Sequence, residues 1–260
     1  MTIAPEEIKA CCAAAYSSEA ARFLLGDSFH PGGAALTSEL IGALGVSTGA
    51  SVVDVASGRG TSAQQVARET GADVVGVELS PTNVAEAIRA VREAGLQDRV
   101  RFLQGDAESL PLEDQSMGGA LCECALCTFP SKDGAVRELA RVLRPGARLA
   151  LSDVTAEPAR LPRELTDLKA WIACIADARP LPELATLLGR AGFVVEQVER
   201  RDEALLQLLE RVDYRLRAAQ FVWPSLTGDG CELVGAARTA VACGHLGYGV
   251  VVARKPFART

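Results

Sequence analysis

From Ser51 onward, short runs rich in β-branched residues alternate with segments of helical period, the pattern of a parallel sheet covered on both faces. The pattern predicts strands at Ser51 to Ala56, Asp73 to Leu79, Val100 to Gly105, Gly119 to Ala125, Ala147 to Val154, Phe193 to Glu199 and Tyr248 to Ala253. It predicts helices at Thr61 to Thr70, Pro81 to Ala94, Lys132 to Leu143, Leu165 to Ala178 and Pro182 to Arg190. Pro81 suits a first helical turn, and Arg144-Pro145-Gly146 stops the helix before it. The stretch Glu203 to Cys243 reads as helical with a break around Pro224 to Gly230, and residues 5 to 46 read as helices packed over the sheet. One domain is expected over 1–260: a helical cap at 1–48, a core at 49–200, and a helical insertion with the last strand at 201–260.

The first strand ends in a glycine-rich turn, Asp54-Val-Ala-Ser-Gly58-Arg-Gly60, that runs directly into a helix. Without Cβ atoms, Gly58 and Gly60 let a ligand come to contact distance. Thr61 or Ser62 is expected to cap the helix from near Ala63, whose free amide groups then face the ligand. Glu78 ends the second strand, 18 residues after Gly60, where a carboxylate can accept two hydrogen bonds from a ribose diol. Asp106 follows the third strand, where it can receive an adenine amino group. Each acid alone also reads as a solvated strand end or turn residue; three strand ends of this polarity fit one adenosine. The spacing Gly-x-Gly-x-x-Gly is absent, which disfavours hydride transfer.

Composition narrows the partners. The chain has 260 residues, 48% of them apolar, and a formal net charge of -6 without a lysine or arginine run, so a nucleic-acid partner is not expected. The sequence has no export signal and no apolar stretch near the roughly 20 residues that cross a bilayer, so a cytoplasmic enzyme with no membrane partner is expected. Eight cysteines, at 11, 12, 122, 124, 127, 174, 231 and 243, are then expected to be reduced thiols.

From Ser51 to Phe193 the chain resembles the class I S-adenosylmethionine-dependent methyltransferases, through the glycine turn, Val-Val-Gly-Val-Glu78, Gly-Asp106-Ala107-Glu and Arg141-Val-Leu-Arg-Pro-Gly146. The resemblance implies an α/β Rossmann-like fold: a mostly parallel seven-stranded sheet with helices on both faces, an N-terminal helical lid, and a helical insertion before the last strand. It implies S-adenosyl-L-methionine as cofactor, with Asp54, Ala56, Ser57, Gly58 and Gly60 around the methionine part. It further implies Glu78 and Leu79 at the ribose, Asp106 and Ala107 at the adenine, and Cys122 against the methionine part. Ala56 and Ser57 stand where the family often has a glycine.

The fourth strand's end reads Leu121-Cys-Glu-Cys-Ala-Leu-Cys127, without the Asn/Asp-Pro-Pro-Tyr sequence common in methyltransferases of bases or glutamine. Cys124 and Cys127 point towards the acceptor space or a neighbouring helix; small cysteines also simply fill cores. Within the family, Glu138-Leu-Ala-Arg-Val-Leu-Arg-Pro-Gly, Leu149-Ala-Leu-Ser-Asp153-Val and Cys174 after Trp171 resemble the arsenite methyltransferases. That likeness implies thiolates from Cys11 or Cys12, Cys174 and Cys231 around a trivalent metalloid, with Cys124 also a catalytic candidate, and a reductant thiol as partner. It departs in lacking a further C-terminal portion and in having more cysteines at the fourth strand. Selenium, tellurium, mercury or an organic thiol are alternative acceptors, as is a small organic molecule methylated on carbon, oxygen or sulfur. A zinc or redox-sensing site on a catalytically silent fold is a third reading, for which Cys124 and Cys127 supply only one CxxC pair. His30 can act as a base, bind the cofactor carboxylate or stabilise its loop, and His245 reads as a turn residue. Glu123 and Asp153 end strands where they can orient an acceptor or the cofactor amino group.

Overall fold

The computed structural model describes residues 4–26, 28–166, 174–219 and 224–257, with side chains for these except 224–229. Three helices, α1 (Pro5–Tyr16), α2 (Glu19–Leu25) and α3 (Gly33–Leu44), precede the sheet. Strands β1 (Ser51–Val55), β2 (Asp73–Glu78), β3 (Val100–Gln104), β4 (Met117–Glu123) and β5 (Leu143–Ala156) then alternate with α4 (Thr61–Thr70), α5 (Pro81–Glu93) and α6 (Lys132–Val142). Helix α7 (Leu181–Arg190), β6 (Val194–Arg200), α8 (Asp202–Ala219), α9 (Pro224–Ala242) and β7 (Leu246–Arg254) complete the chain. The sheet order is β3-β2-β1-β4-β5-β7-β6, and only β7 runs antiparallel to its neighbours.

Alternate side chains of each strand go to opposite faces, which divides the core in two. Val52, Val74, Leu121 and Val252 pack with α3, α4, α5, α8 and α9, whereas Val53, Val75, Ala120 and Val251 pack with α6 and α7. Burial on both faces accounts for the nearly unbroken apolar runs. Among the described residues, no helix is long and apolar enough to cross a membrane.

Three local expectations are corrected, and a fourth lies mostly outside the described residues. Helix α4 starts at Thr61 with Gly60 as N-cap at φ 77°, so neither Thr61 nor Ser62 is the cap; the Ser62 hydroxyl donates to Glu123 at 2.6 Å, and Asp54 accepts the Ala63 amide. Strand β5 begins at Leu143, because Leu143 pairs with Met117 before a register shift bulges Arg144-Pro145-Gly146 out of the ladder. The helix expected over Leu165 to Ala178 falls largely on 167–173, which with Trp171 lie outside the described residues. At its two ends stand a 3-10 turn at Arg163–Leu165 and a non-helical Cys174 with φ 65°. Finally, Pro224 to Gly230 is helical rather than broken, since Pro224 occupies the first turn of α9, where its missing N–H costs nothing.

The ring of Phe102 on β3 lies under the glycine turn, and a Cβ on either Gly60 or Gly76 would collide with it. Gly76→Ala is therefore expected to destabilise the fold by about 1–3 kcal/mol in urea denaturation. Gly42→Ala, on an exposed stretch of α3 with open space at its Cβ, is expected to be neutral or to stabilise by up to about 1 kcal/mol.

Candidate active site

The carboxyl ends of β1, β2 and β4 open into a cleft roofed by α1, which contributes Lys9, Cys12, Ala13 and Tyr16. The β1–α4 turn supplies its floor in a strained backbone. Ala56 takes φ 58° and Gly58 φ 53°, both in the left-handed region. Ala56 thus adopts a glycine-like conformation at the position where a glycine is common. Glu78 is buried, and its two oxygens accept the Gly58 and Ser80 amides, each at 2.9 Å. The Asn83 side-chain amide and the Leu79 amide also donate to this carboxylate, which fixes its orientation at the cleft.

Three carboxylates, Asp54, Glu78 and Glu123, stand at adjacent strand ends and give the cleft a negative field. Burial, then the Glu123 charge, push the Asp54 carboxyl well above its usual range, and burial also raises Glu78. One oxygen of Asp54, the Ser57 hydroxyl and the Asn83 carbonyl oxygen are buried against the cleft without a hydrogen-bond partner. Orphaned polar atoms in a cleft need a ligand to complete them. Glu123 is braced by Thr37 at 3.0 Å and Ser62 at 2.6 Å. His30 is buried with its Nδ1 3.1 Å from the Pro31 carbonyl oxygen, and its Nε2 is 2.9 Å from the Ser28 hydroxyl.

Behind the cleft, whose lining includes Cys124 but neither Cys127 nor Cys174, the sulfurs of these three residues lie within 4.8 Å of one another. Cys124 follows β4 with φ 52°, so two members of the trio, Cys124 and Cys174, hold left-handed backbone that costs non-glycine residues about 1–2 kcal/mol. The Tyr16 hydroxyl reaches Cys174 Sγ at 2.9 Å. Hydrogen bonds from the Cys124 and Cys127 thiols, then from Tyr16, hold the Cys174 thiol well below its ordinary range, while Cys124 and Cys127 are themselves raised. The three thiols therefore titrate as one coupled cluster, in which Cys174 is the sulfur favoured to ionise. Asp153 lies beside it, accepting the Cys127 amide at 2.8 Å; burial and then the Cys174 charge push its carboxyl up to about 7.

Lys132, 7% exposed, ties the trio together. Its ammonium donates to the Cys127 and Phe129 carbonyls at 3.1 Å each and pairs with Asp177, three residues beyond Cys174. The same charge lowers the Cys174 thiol.

Of the residues expected from sequence, Asp54, Ala56, Ser57, Gly58, Glu78, Leu79, Asp106 and Ala107 line the cleft. Gly60 sits at the turn beneath it as the α4 N-cap. Asp106 is already engaged, by the Glu108 amide at 2.9 Å and by Lys9 at 2.8 Å, and Lys9 also pairs with Glu108. Cys122 does not reach the cleft: strand alternation turns it into the core on the α6 face, with no exposure. The cysteine set changes too. Cys124 and Cys174 meet, Cys127 joins them, and Cys12 lines the cleft with its thiol raised to about 12 by burial and the Cys174 charge. Cys11 lines neither the cleft nor the cavity behind it, and Cys231, on α9, packs half-buried against the helical core instead of joining the trio. Sequence reasoning missed Lys9, Asn83, Lys132 and Phe29, over whose ring the Arg59 guanidinium sits at 5.3 Å.

Residues 53–151 match the methyltransferase-domain family. The 27-O-demethylrifamycin SV methyltransferase of Amycolatopsis mediterranei is 30% identical over 234 residues, 85% of this chain and 83% of that protein. The chain belongs to the class I S-adenosylmethionine-dependent methyltransferases. The family's arsenite methyltransferase from Halobacterium salinarum is 31% identical over 159 residues, 60% of this chain and 40% of that one. The chain spans less than half the length of several such curated relatives. In fold it is similar to a Haemonchus contortus N-methyltransferase bound to phosphomonomethylethanolamine and S-adenosylhomocysteine, with TM-score 0.80, 19% identity, and coverage of 98% of this chain and 61% of that one. The cofactor of these methyltransferases is S-adenosylmethionine, a sulfonium cation with an amino group, and a cleft bordered by three carboxyl groups, with free oxygens on Asp54, Ser57 and Asn83, fits it.

Two outcomes follow from the buried charges. Lys132→Met is expected to raise the pH midpoint of Cys174 alkylation, read by mass spectrometry across a pH series; an unchanged midpoint would mean that Lys132 only holds the backbone. For Asp153, the folded value of about 7 exceeds the unfolded 3.8, so its protonated form favours the fold. That stabilisation is complete below about pH 4 and is lost as pH rises through 7, by up to about 4 kcal/mol. Asp153→Asn is expected to flatten the stability profile across that window in denaturation series.

Proposed function

We propose that this protein transfers a methyl group from S-adenosylmethionine to a soft acceptor atom gripped by Cys124, Cys127 and Cys174, with trivalent arsenic as the best-fitting occupant. The observation that carries this reading is the trio itself: three sulfurs within 4.8 Å, with Cys174 held below its ordinary range by its neighbours' hydrogen bonds, and Cys124 also lining the cofactor cleft. Thiolates prefer soft centres, and three of them match a trivalent metalloid that keeps one lone pair. Loading balances as thiol exchange: each As–S bond replaces an As–OH group, which leaves as water. Cys174, the sulfur favoured to ionise, attacks first, and the hydroxide it displaces takes a proton from solvent, while Cys124 and Cys127 deliver their own thiol protons to the other two as they follow.

Asp54, Ala56, Ser57, Gly58 and Gly60 hold the methionine part, with the free Asp54 oxygen as acceptor for the amino group. Glu78 with Asn83 takes the ribose hydroxyls, and Asp106 with Ala107 borders the adenine under Lys9. When bound, S-adenosylmethionine supplies an electrophilic methyl, which the acceptor's lone pair takes while the bonding pair returns to sulfur. No general base is needed at the attacking atom, so alignment and water exclusion by α1 supply the catalysis. Methyl transfer takes arsenic from the trivalent to the pentavalent state, and a small thiol reductant returns it.

A second reading has a specific observation behind it. The wall that carries Cys124 and Cys174 also bounds an apolar cavity of about 710 Å³ that could take a neutral organic acceptor methylated on oxygen or carbon. The substrate named for the rifamycin relative is of that kind. Cys174→Ser separates the two. The thiol reading expects arsenite methylation to fall at least 100-fold while S-adenosylmethionine binding, measured by calorimetry, stays within a few fold. Methylation of a phenolic acceptor unaffected by Cys174→Ser, with no transfer to arsenite by the unaltered protein, would establish the second reading.

A further inference from the structure

The cavity behind the trio is much larger than an inorganic acceptor requires. It measures about 710 Å³, and its walls are built by Leu24 of α2, Leu205, Leu209 and Val212 of α8, and Leu233 of α9. A trihydroxide of arsenic fills only a small part of that, taking about 30 Å³ for each water-sized group. Its leucine and valine walls offer water few of the two to four polar partners that a buried water needs. Tyr16, Phe29 and Cys124 border both this cavity and the cofactor cleft, and Cys174 lies on the cavity wall. An atom held by the sulfurs therefore sits at the mouth, with the apolar space on one side and the methyl donor's cleft on the other.

The charges on the wall restrict the occupant further. Among the described lining residues, Glu164 and Glu232 are the charged ones, with no lysine, arginine or histidine to neutralise an anion. Against the described walls, phosphorylated, carboxylated or sulfonated acceptors would meet two carboxylates and, among these residues, no cation. Neutral apolar groups meet leucine and valine.

We infer, building on the thiol-trio reading above, that the acceptor is an organyl-substituted soft centre, of which an aryl arsenical is the type, whose neutral apolar substituent occupies this cavity while two sulfurs of the trio hold its arsenic. Loading follows the same exchange: a monoaryl dihydroxide of arsenic gives up both hydroxyls as water to two thiols, and the ring stays bonded to arsenic. The apolar body sets affinity, since each buried methylene-sized group contributes about fourfold to a binding constant. The sulfurs set where the reacting atom rests.

The test compares phenylarsonous acid with methylarsonous acid by calorimetry. Both offer two exchangeable hydroxyls and differ in the organyl group alone, so thiol affinity cancels. The phenyl compound is expected to bind at least roughly tenfold more tightly. Ala237→Phe on α9 and Ala21→Phe on α2, which fill the cavity from two separate helices, are expected to remove that preference and leave methylarsonous acid binding within about twofold. Two substitutions keep the test decisive if one of them fails to fold. Equal affinity for the two arsenicals, or a preference that survives both fillings, would overturn the inference and leave the thiol trio standing. Binding of both arsenicals unchanged by Cys174→Ser would instead remove the trio reading on which the inference rests.

Discussion

Parallel pairing in register is the constraint on which the site depends. Val55 is level with Val77 on one side and Cys122 on the other, so β1, β2 and β4 stop together and the residues just beyond them have no further strand to pair with. Their side chains converge on one cleft. Glu78, Asp54 and Glu123 become a ring of buried carboxylates, raised or braced according to what surrounds them. Cys124, the first residue past β4, is forced into left-handed backbone at the same edge, with its amide held by the Ser152 carbonyl at 2.7 Å.

A second constraint acts on the cysteines. One thiolate in a buried site has to be satisfied by donors, and two neighbouring thiols, a tyrosine hydroxyl and the nearby Lys132 charge provide them. Burial and then the Cys174 charge raise the Asp153 carboxyl to about 7, which limits the accumulation of negative charge. The buried Lys132–Asp177 pair joins the loop after β4 to the segment after Cys174, which brings sulfurs 50 residues apart in sequence into one cluster. Charge, backbone strain and packing thus all act on the same few atoms.

The sheet was legible because β-branched runs and glycine turns are local signals, and the cleft residues followed from their positions at strand ends. Ala56 was legible as a tolerated departure, and its positive φ supplies the reason. The cysteine grouping was only half legible. Cys124 and Cys174 were candidates from their regions, but Cys127 joins them through one turn of 3-10 helix, and Cys231 turns into a helix-packing position. Cys122 was misplaced by a single step of strand alternation, which sends it to the opposite face of the sheet. Lys9 with Asp106 and Lys132 with Asp177 are separated by 97 and 45 residues, and no local pattern announces pairs at that distance.

The central claim is that three sulfurs hold the acceptor atom at the edge of the cofactor cleft. Arsenic K-edge absorption on the arsenite-loaded protein tests it directly. The account predicts three sulfur neighbours in the unaltered protein and two in Cys127→Ser, the member of the trio that packing rather than sequence brought in. An arsenic shell of oxygen, or a sulfur shell unchanged by Cys127→Ser, would contradict it.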